Sequence, residues 1–198
     1  MPTYLWLVYV LRLAAGIQAI QPDYIPVRQD RAMAYAMAAT YHGWRLGVDP
    51  YELVAVARNE SDFQPGLRGP DGKDCGLTQT RITISRYSCK QLRSSYWIAF
   101  AEAARELSEY RDSCLDQPDF DRCRINKYNS GVRYARTGVH GRYYLRIQCF
   151  AEAARQGIQV GRECRLVQSH KQIRRLLAGR RPEPSVAALS PGGPGSKL

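Results

Sequence analysis

Glu60 is the side chain whose position asks for a chemical explanation. It falls in the stretch Ala57-Arg58-Asn59-Glu60-Ser61-Asp62-Phe63, at the end of a segment that otherwise reads as buried helix. Asp49 suits the N-cap, Pro50 the first helical position, and Glu52, three residues past the cap, makes a capping box. At about 3.6 residues per turn the apolar stripe is Leu53, Val56 and Ala57, and Glu60 lies on that same stripe. Burial disfavours the charged form of a carboxyl, so one held on an oily face keeps its proton and can donate it to a leaving group. The plain alternative is a glutamate that ends its helix and points into water.

Two further strings follow in order. A turn-rich passage over residues 64–74 leads into Cys75-Gly76-Leu77-Thr78-Gln79-Thr80, which opens what reads as another helix, and Asn126-Lys127-Tyr128-Asn129-Ser130-Gly131 comes much later. Glu-Ser-x-Phe, Gly-Leu-x-Gln and Tyr-Asn-small-Gly, in this order and spacing, resemble the soluble lytic transglycosylase domain of the lysozyme superfamily, from about residue 31 to about residue 157. The resemblance implies a single, mainly α, lysozyme-like domain of the goose-type lysozyme and lytic transglycosylase kind. It makes Glu60 the single catalytic acid and base, with Ser61 positioning substrate, Gln79 lining a sugar groove, and Tyr128 with Asn129 at the cleavage point. Tyr143 or Tyr144 corresponds to an aromatic of the family's last helix. Two positions depart from the pattern: Thr78 stands where the family usually has Met, and Val132 where it usually has Pro.

The implied chemistry requires one carboxyl. Glu60 would protonate the glycosidic oxygen between N-acetylmuramic acid and N-acetylglucosamine, the substrate's acetamido group would stabilise the cation, and Glu60 would then take the proton of the muramoyl 6-hydroxyl as a 1,6-anhydro ring closes. This route uses no metal or cofactor. A muramidase-type hydrolase would need a second acid to hold water; Asp62, Asp71 and Asp74 are the neighbours in sequence, each otherwise a solvated loop residue. A catalytically inactive wall-binding or structural protein of the same fold is a further alternative, and a nucleic-acid-binding protein another, although no recognised DNA-binding motif accompanies the charge.

The positioning elements follow from periodicity. Asp30 is placed to cap a helix over residues 31–45, with Met33, Ala36, Met37 and Trp44 for packing and Gly47 as its stop. Leu92, Tyr96, Ala99, Ala103, Leu107 and Tyr110 recur at three and four, which predicts one long core-facing helix over residues 91–111. A short helix over 119–127 delivers Tyr128 and Asn129, and a last one over 141–154 stops at Gly157. Phe-Ala-Glu-Ala-Ala-Arg occurs at 100–105 and at 150–155 with nothing repeated around it, so two similar helices are expected, not a solenoid. Tyr87, Tyr96 and Tyr134 also fall near the groove segments, though most such rings belong to cores.

With 198 residues and 44% hydrophobic composition, the chain is long enough for one domain with a real core. Residues 1–20 hold an apolar block broken by Arg12, too short and too charged for a comfortable span. It is read either as a secretory leader with cleavage near Ala19 or as an amphipathic helix of the fold. The transglycosylase domain follows over 21–160, a basic amphipathic segment over 161–181, and a Pro/Gly-rich disordered tail over 182–198. Six cysteines show no Cys-x-x-Cys pair and no zinc spacing with His42, His140 or His170, so disulfides between sequence neighbours are expected: Cys75 with Cys89, Cys114 with Cys123, Cys149 with Cys164. The first would pin one wall of the groove. Reduced thiols in a cytoplasmic or virion-packaged protein are the alternative.

A net charge of +11 suits an acidic partner. Seven cationic side chains stand against Glu163 alone over residues 162–181. The expected partners are peptidoglycan glycan strands and, through this segment, a secretion, pilus or phage assembly, with no specific nucleic acid. The expected location is the periplasm and envelope after export, or alternatively a phage virion.

Overall fold

The structure, a computed structural model, describes residues 3–130 and 141–180. It is mainly helical. The centre is α3, Pro50–Ser61, in which Leu53, Val54, Ala55, Val56 and Ala57 are all completely buried. A helix apolar on every side cannot sit at a surface. Around it pack α1 (Thr3–Ile20), α2 (Gln29–Leu46) and, further along the chain, α7 (Gly141–Gln156). The layer is completed by α4 (Cys89–Ser94), α5 (Tyr96–Asp112) and α6 (Phe120–Ser130), with two short helices, α8 (Glu163–Leu166) and α9 (His170–Ala178), resting on α7.

Local signals account for several of the ends. The Asp49 side chain accepts the Tyr51 N–H at 3.0 Å and caps α3, but Glu52 does not turn back to close a capping box. It is buried and pairs with Arg124 at 2.6 Å, since an ion pair is a better use of an inward-facing carboxylate than an exposed backbone amide. Gly47 ends α2 in the left-handed conformation, as expected. Asp30 is not the cap of that helix: α2 begins two residues earlier than expected, at Gln29, Arg28 occupies the cap position without a side-chain bond, and Asp30 sits in the first turn paired with Arg28 at 3.1 Å.

Three expectations give way to tertiary structure. Residues 75–80 form no helix; β1 (Asp74–Cys75) and β2 (Thr80–Arg81) make a short antiparallel hairpin. Gly76 at φ 81° and Gln79 at φ 47° lie in the left-handed region, where a right-handed helix cannot continue, and a Cβ at Gly76 would drive into the Leu92 carbonyl. The helix expected over 91–111 is two helices. Ser95 is extended and its hydroxyl accepts the Ile98 N–H, so it ends α4 and caps α5, a role serine takes readily. Leu92, Ala99, Ala103 and Leu107 are buried as their spacing requires, whereas Tyr96 is 38% exposed. On α2, Met37 and Trp44 are exposed, and the small Ala32, Ala36 and Ala39 fill the inner face.

All three disulfides join sequence neighbours: Cys75–Cys89, Cys114–Cys123 and Cys149–Cys164. Such bridges are compatible with a secreted protein. The basic segment is not one helix; α8 and α9 are separated by extended Val167, and Ile173 and Leu177 anchor α9 while Lys171, Arg174 and Arg175 face out. The expected tail over 182–198, Val132, Tyr134 and His140 lie outside the described residues.

Candidate active site

Glu60 sits on the last turn of α3, where the all-apolar core helix meets the loops. Its residue surface is half-buried, while its carboxyl is enclosed by neighbours, and that burial pushes its acidity toward the neutral form. The Tyr143 hydroxyl and the Asn59 amide, at 3.4 Å, act in the opposite direction by stabilising the anion, as does the charge of Arg165; the Asp74 carboxylate adds to the effect of burial. The Tyr143 hydroxyl is buried beside Glu60 and has no hydrogen-bond partner among the described residues. It is available to donate to Glu60. Burial and the Glu60 charge both hold Tyr143 well above the ordinary phenol range, so it stays a donor.

Tyr128 approaches from α6. Its hydroxyl donates to the Thr78 carbonyl at 2.8 Å, and its acidity is suppressed by burial and by the charges of Glu106 and Glu60. The bond ties the end of α6 to the hairpin. Asn129, next in sequence, is exposed. Gln79 stands at the tip of the hairpin at φ 47°, its amide donating to the Gly76 carbonyl at 2.8 Å. Asp62 and Phe63 are also left-handed, at φ 53° and 61°, so the backbone just after Glu60, like the hairpin tip, is held in conformations that non-glycine residues rarely adopt.

The Ser61 side chain is turned into the protein. It is buried, and its hydroxyl donates to the Leu77 carbonyl at 2.5 Å, with the Ala57 carbonyl at 3.1 Å. It fastens the end of α3 to the hairpin, and its contribution to the site is to hold that loop. Thr78 likewise points inward: its side chain is fully buried, 3.0 Å from the Thr80 hydroxyl and 3.3 Å from the Ala99 carbonyl. The residue at this position therefore builds the core beneath the site and forms none of its wall. Tyr144, the alternative to Tyr143, is half-buried and packs its ring 5.7 Å from His170, away from Glu60's partner set.

The three aspartates near Glu60 are all engaged. Asp62 is buried among Arg58, Arg165, at 2.7 Å, and the Tyr24 hydroxyl. Its place as a solvated loop residue is therefore corrected; the helix cap turns it inward. Asp74 on the hairpin and Asp71 in the turn before it share Arg81, at 3.3 and 3.2 Å. Arg165 reaches across to the Asn59 carbonyl at 3.4 Å as well, so α8 braces the turn that carries Glu60.

One carboxyl was missed. Glu106 on α5 is 4% exposed, one of its oxygens makes no hydrogen bond, and Arg105, 3.9 Å away, is already committed to Glu102 and Glu109. Burial pushes its pKa up to about 8, with Arg105 opposing. Its charge, like that of Glu60, acts on both Tyr128 and Tyr143, so the two carboxyls share the same pair of phenols. The signal was present, because Glu106 follows Ala103 by three and precedes Tyr110 by four on an apolar stripe, the same anomaly that marks Glu60.

Set against protein-family models, curated proteins and solved structures, the chain matches none of them.

Proposed function

We propose that this protein is a peptidoglycan lytic transglycosylase of the lysozyme-like kind, with Glu60 as its acid and base. The observation that supports the reading most is a carboxyl biased by burial toward its neutral form at the end of a core helix, with the buried Tyr143 phenol beside it and a left-handed turn directly after it. A neutral Glu60 gives its proton to the glycosidic oxygen as the bond to the muramoyl C1 breaks. The substrate's acetamido oxygen takes up the positive charge at C1. Glu60, now a carboxylate stabilised by the Tyr143 hydroxyl, accepts the proton of the 6-hydroxyl as that oxygen bonds to C1, closing the 1,6-anhydro ring and restoring the acid. No water is consumed.

Asp62, buried against Arg58 and Arg165, is not free to hold an attacking water, which favours this route over hydrolysis; Asp71 and Asp74, each paired with Arg81, lie nearer solvent. The three disulfides favour action outside the cytoplasm, in the envelope or on a virion, and a net charge of +11 draws the protein to acidic wall polymers. A secretion, pilus or phage assembly would then direct it to the place where the wall must open.

The test is incubation of purified peptidoglycan with the oxidised protein and with Glu60→Gln, followed by mass analysis of the released muropeptides. Anhydro-muropeptides from the wild type alone support the proposal. Reducing ends would make it a hydrolase, and wall binding without any release would make it a wall-binding protein. As the acid form initiates the reaction, kcat/KM is expected to fall as pH rises through the raised pKa of Glu60.

A further inference from the structure

We propose that the outer faces of α1 and α2 form a docking surface for an anionic lipid bilayer, with α1 lying in the plane of the interface. The inner face of α1 belongs to the protein. Val10, Leu13, Ile17 and Ile20 have no exposed surface, Gly16 packs so closely on α7 that a Cβ would meet the Ala154 carbonyl at 2.5 Å, and the Ala19 and Ile20 carbonyls accept from Val160 and Arg58. The helix is long and apolar enough to cross a membrane, but a side committed to the core cannot also meet lipid. Removal of this segment at Ala19 would strip a core helix from the fold.

The outer face is apolar as well. Tyr4, Leu7 and Leu11 recur at helical spacing and are 65%, 50% and 47% exposed. On neighbouring α2, Met37, Tyr41 and Trp44 form a second exposed stripe. Leu5 and Val8, 37% and 44% exposed, carry the apolar surface of α1 round from that stripe toward Tyr9, whose ring lies 4.8 Å from that of Trp44. Monomeric soluble proteins rarely leave so continuous an apolar surface open to water.

Charge selects the occupant. Neither face carries an acid apart from Asp30 at the start of α2, and the exposed cations Arg12, Arg31 and Arg45 flank the stripes. Tyrosine, tryptophan and leucine beside arginine are the residues of an interfacial helix on anionic lipid. A second copy of the chain would bring the same cations and the same +11 charge against this face, which opposes pairing.

The test uses the full, oxidised chain, independently of any wall-cleaving activity. Sedimentation is measured with vesicles of phosphatidylcholine, with and without phosphatidylglycerol, for the wild type, Leu7→Asp/Leu11→Asp, Arg12→Glu/Arg45→Glu and Arg174→Glu/Arg175→Glu, each checked for native circular dichroism and monomer size. The wild type is expected to sediment with the anionic vesicles and more weakly with the neutral ones. Leu7→Asp/Leu11→Asp is expected to lower the partition by about tenfold or more, since one buried leucine side chain is worth that factor. Arg12→Glu/Arg45→Glu should weaken only the anionic binding. Because Leu7 and Leu11 face outward, their variant keeps the core packing. A wild type that stays in the supernatant with both vesicles overturns the proposal. So does a Leu7→Asp/Leu11→Asp variant that binds like wild type while the α9 pair loses binding. A wild-type dimer that the leucine variant splits into monomers would assign the face to a second copy instead.

Discussion

Replacing Arg58 by methionine should be among the most damaging single changes to the fold. Arg58 is 1% exposed, yet it holds three chain segments at once. Its guanidinium donates to the Ile20 carbonyl at the end of α1 and to the Gly161 carbonyl at 3.1 Å, pairs with Asp62 one turn on, and lies 4.9 Å over the Phe150 ring of α7. Methionine fills much of the volume and removes every donor. Asp62 keeps Arg165 and Tyr24, so the loss of its ion pair is partly compensated, but neither can reach the two carbonyls. Leaving a buried acceptor unpaired costs about 1–3 kcal/mol, and breaking a buried charge pair from one side about 3–5 kcal/mol. Allowing for the compensation and for overlap between these terms, a loss of about 4 kcal/mol is expected. For a chain of this size that lowers Tm by about 8–16 °C. Arg58→Lys keeps the charge but lacks the fork, and should fall between the two. Differential scanning calorimetry at pH 7 measures all three proteins. A decrease below about 1 kcal/mol for Arg58→Met, within the range of ordinary surface substitutions, would refute the account of Arg58 as the clamp between α1, α3 and residue 161.

The raised pKa of Glu106, about 8, carries a definite sign: a carboxyl more basic in the fold than in the unfolded chain favours folding most at low pH, and that contribution is lost as pH rises through the folded value. Urea unfolding at pH 5 and pH 8.5 should therefore show Glu106→Gln gaining stability relative to wild type at the higher pH; an unchanged difference would mean the carboxyl is solvated. Replacing Cys75 and Cys89 by serine opens a loop of 14 residues' separation and should cost about 3 kcal/mol by loop entropy, read from urea midpoints of the oxidised proteins. Muropeptide release should fall with it, because the bridge seats the hairpin that Ser61 and Tyr128 bind. Gly76→Ala should destabilise by more than about 1 kcal/mol, since φ is 81° and the Leu92 carbonyl fills the space a methyl would need; a Tm equal to wild type would show that the hairpin relaxes freely.

Much of the site was legible from local pattern. The capped helix that ends in Glu60, the carboxyl on its apolar stripe, the helix that presents Tyr128 and the pairing of neighbouring cysteines all depend on residues close in sequence, where spacing and capping chemistry act directly. Glu106 was legible by the same rule and was hidden by the surrounding charges of Glu102, Arg105 and Glu109, which make the helix face look solvated.

Tertiary structure alone decided which side chains share a space. Ser61 turned from a ligand-facing position to the Leu77 carbonyl, Thr78 from the groove to the Ala99 carbonyl, and Asp62 from solvent to Arg58 and Arg165, because each backbone acceptor or charge that attracts it comes from a distant segment. The hairpin over residues 74–81 replaced a helix because Leu92 crowds Gly76 and the Cys75–Cys89 bridge holds it there. The chain itself determined a mainly helical, disulfide-bonded, basic protein with an acid at the end of its central helix. Only the packing of α7 against that helix, and of α6 against α5 and α7, brought Tyr128 and Tyr143 to the acid, since residues with no fixed distance along an unfolded chain acquire one only when the core between them is buried.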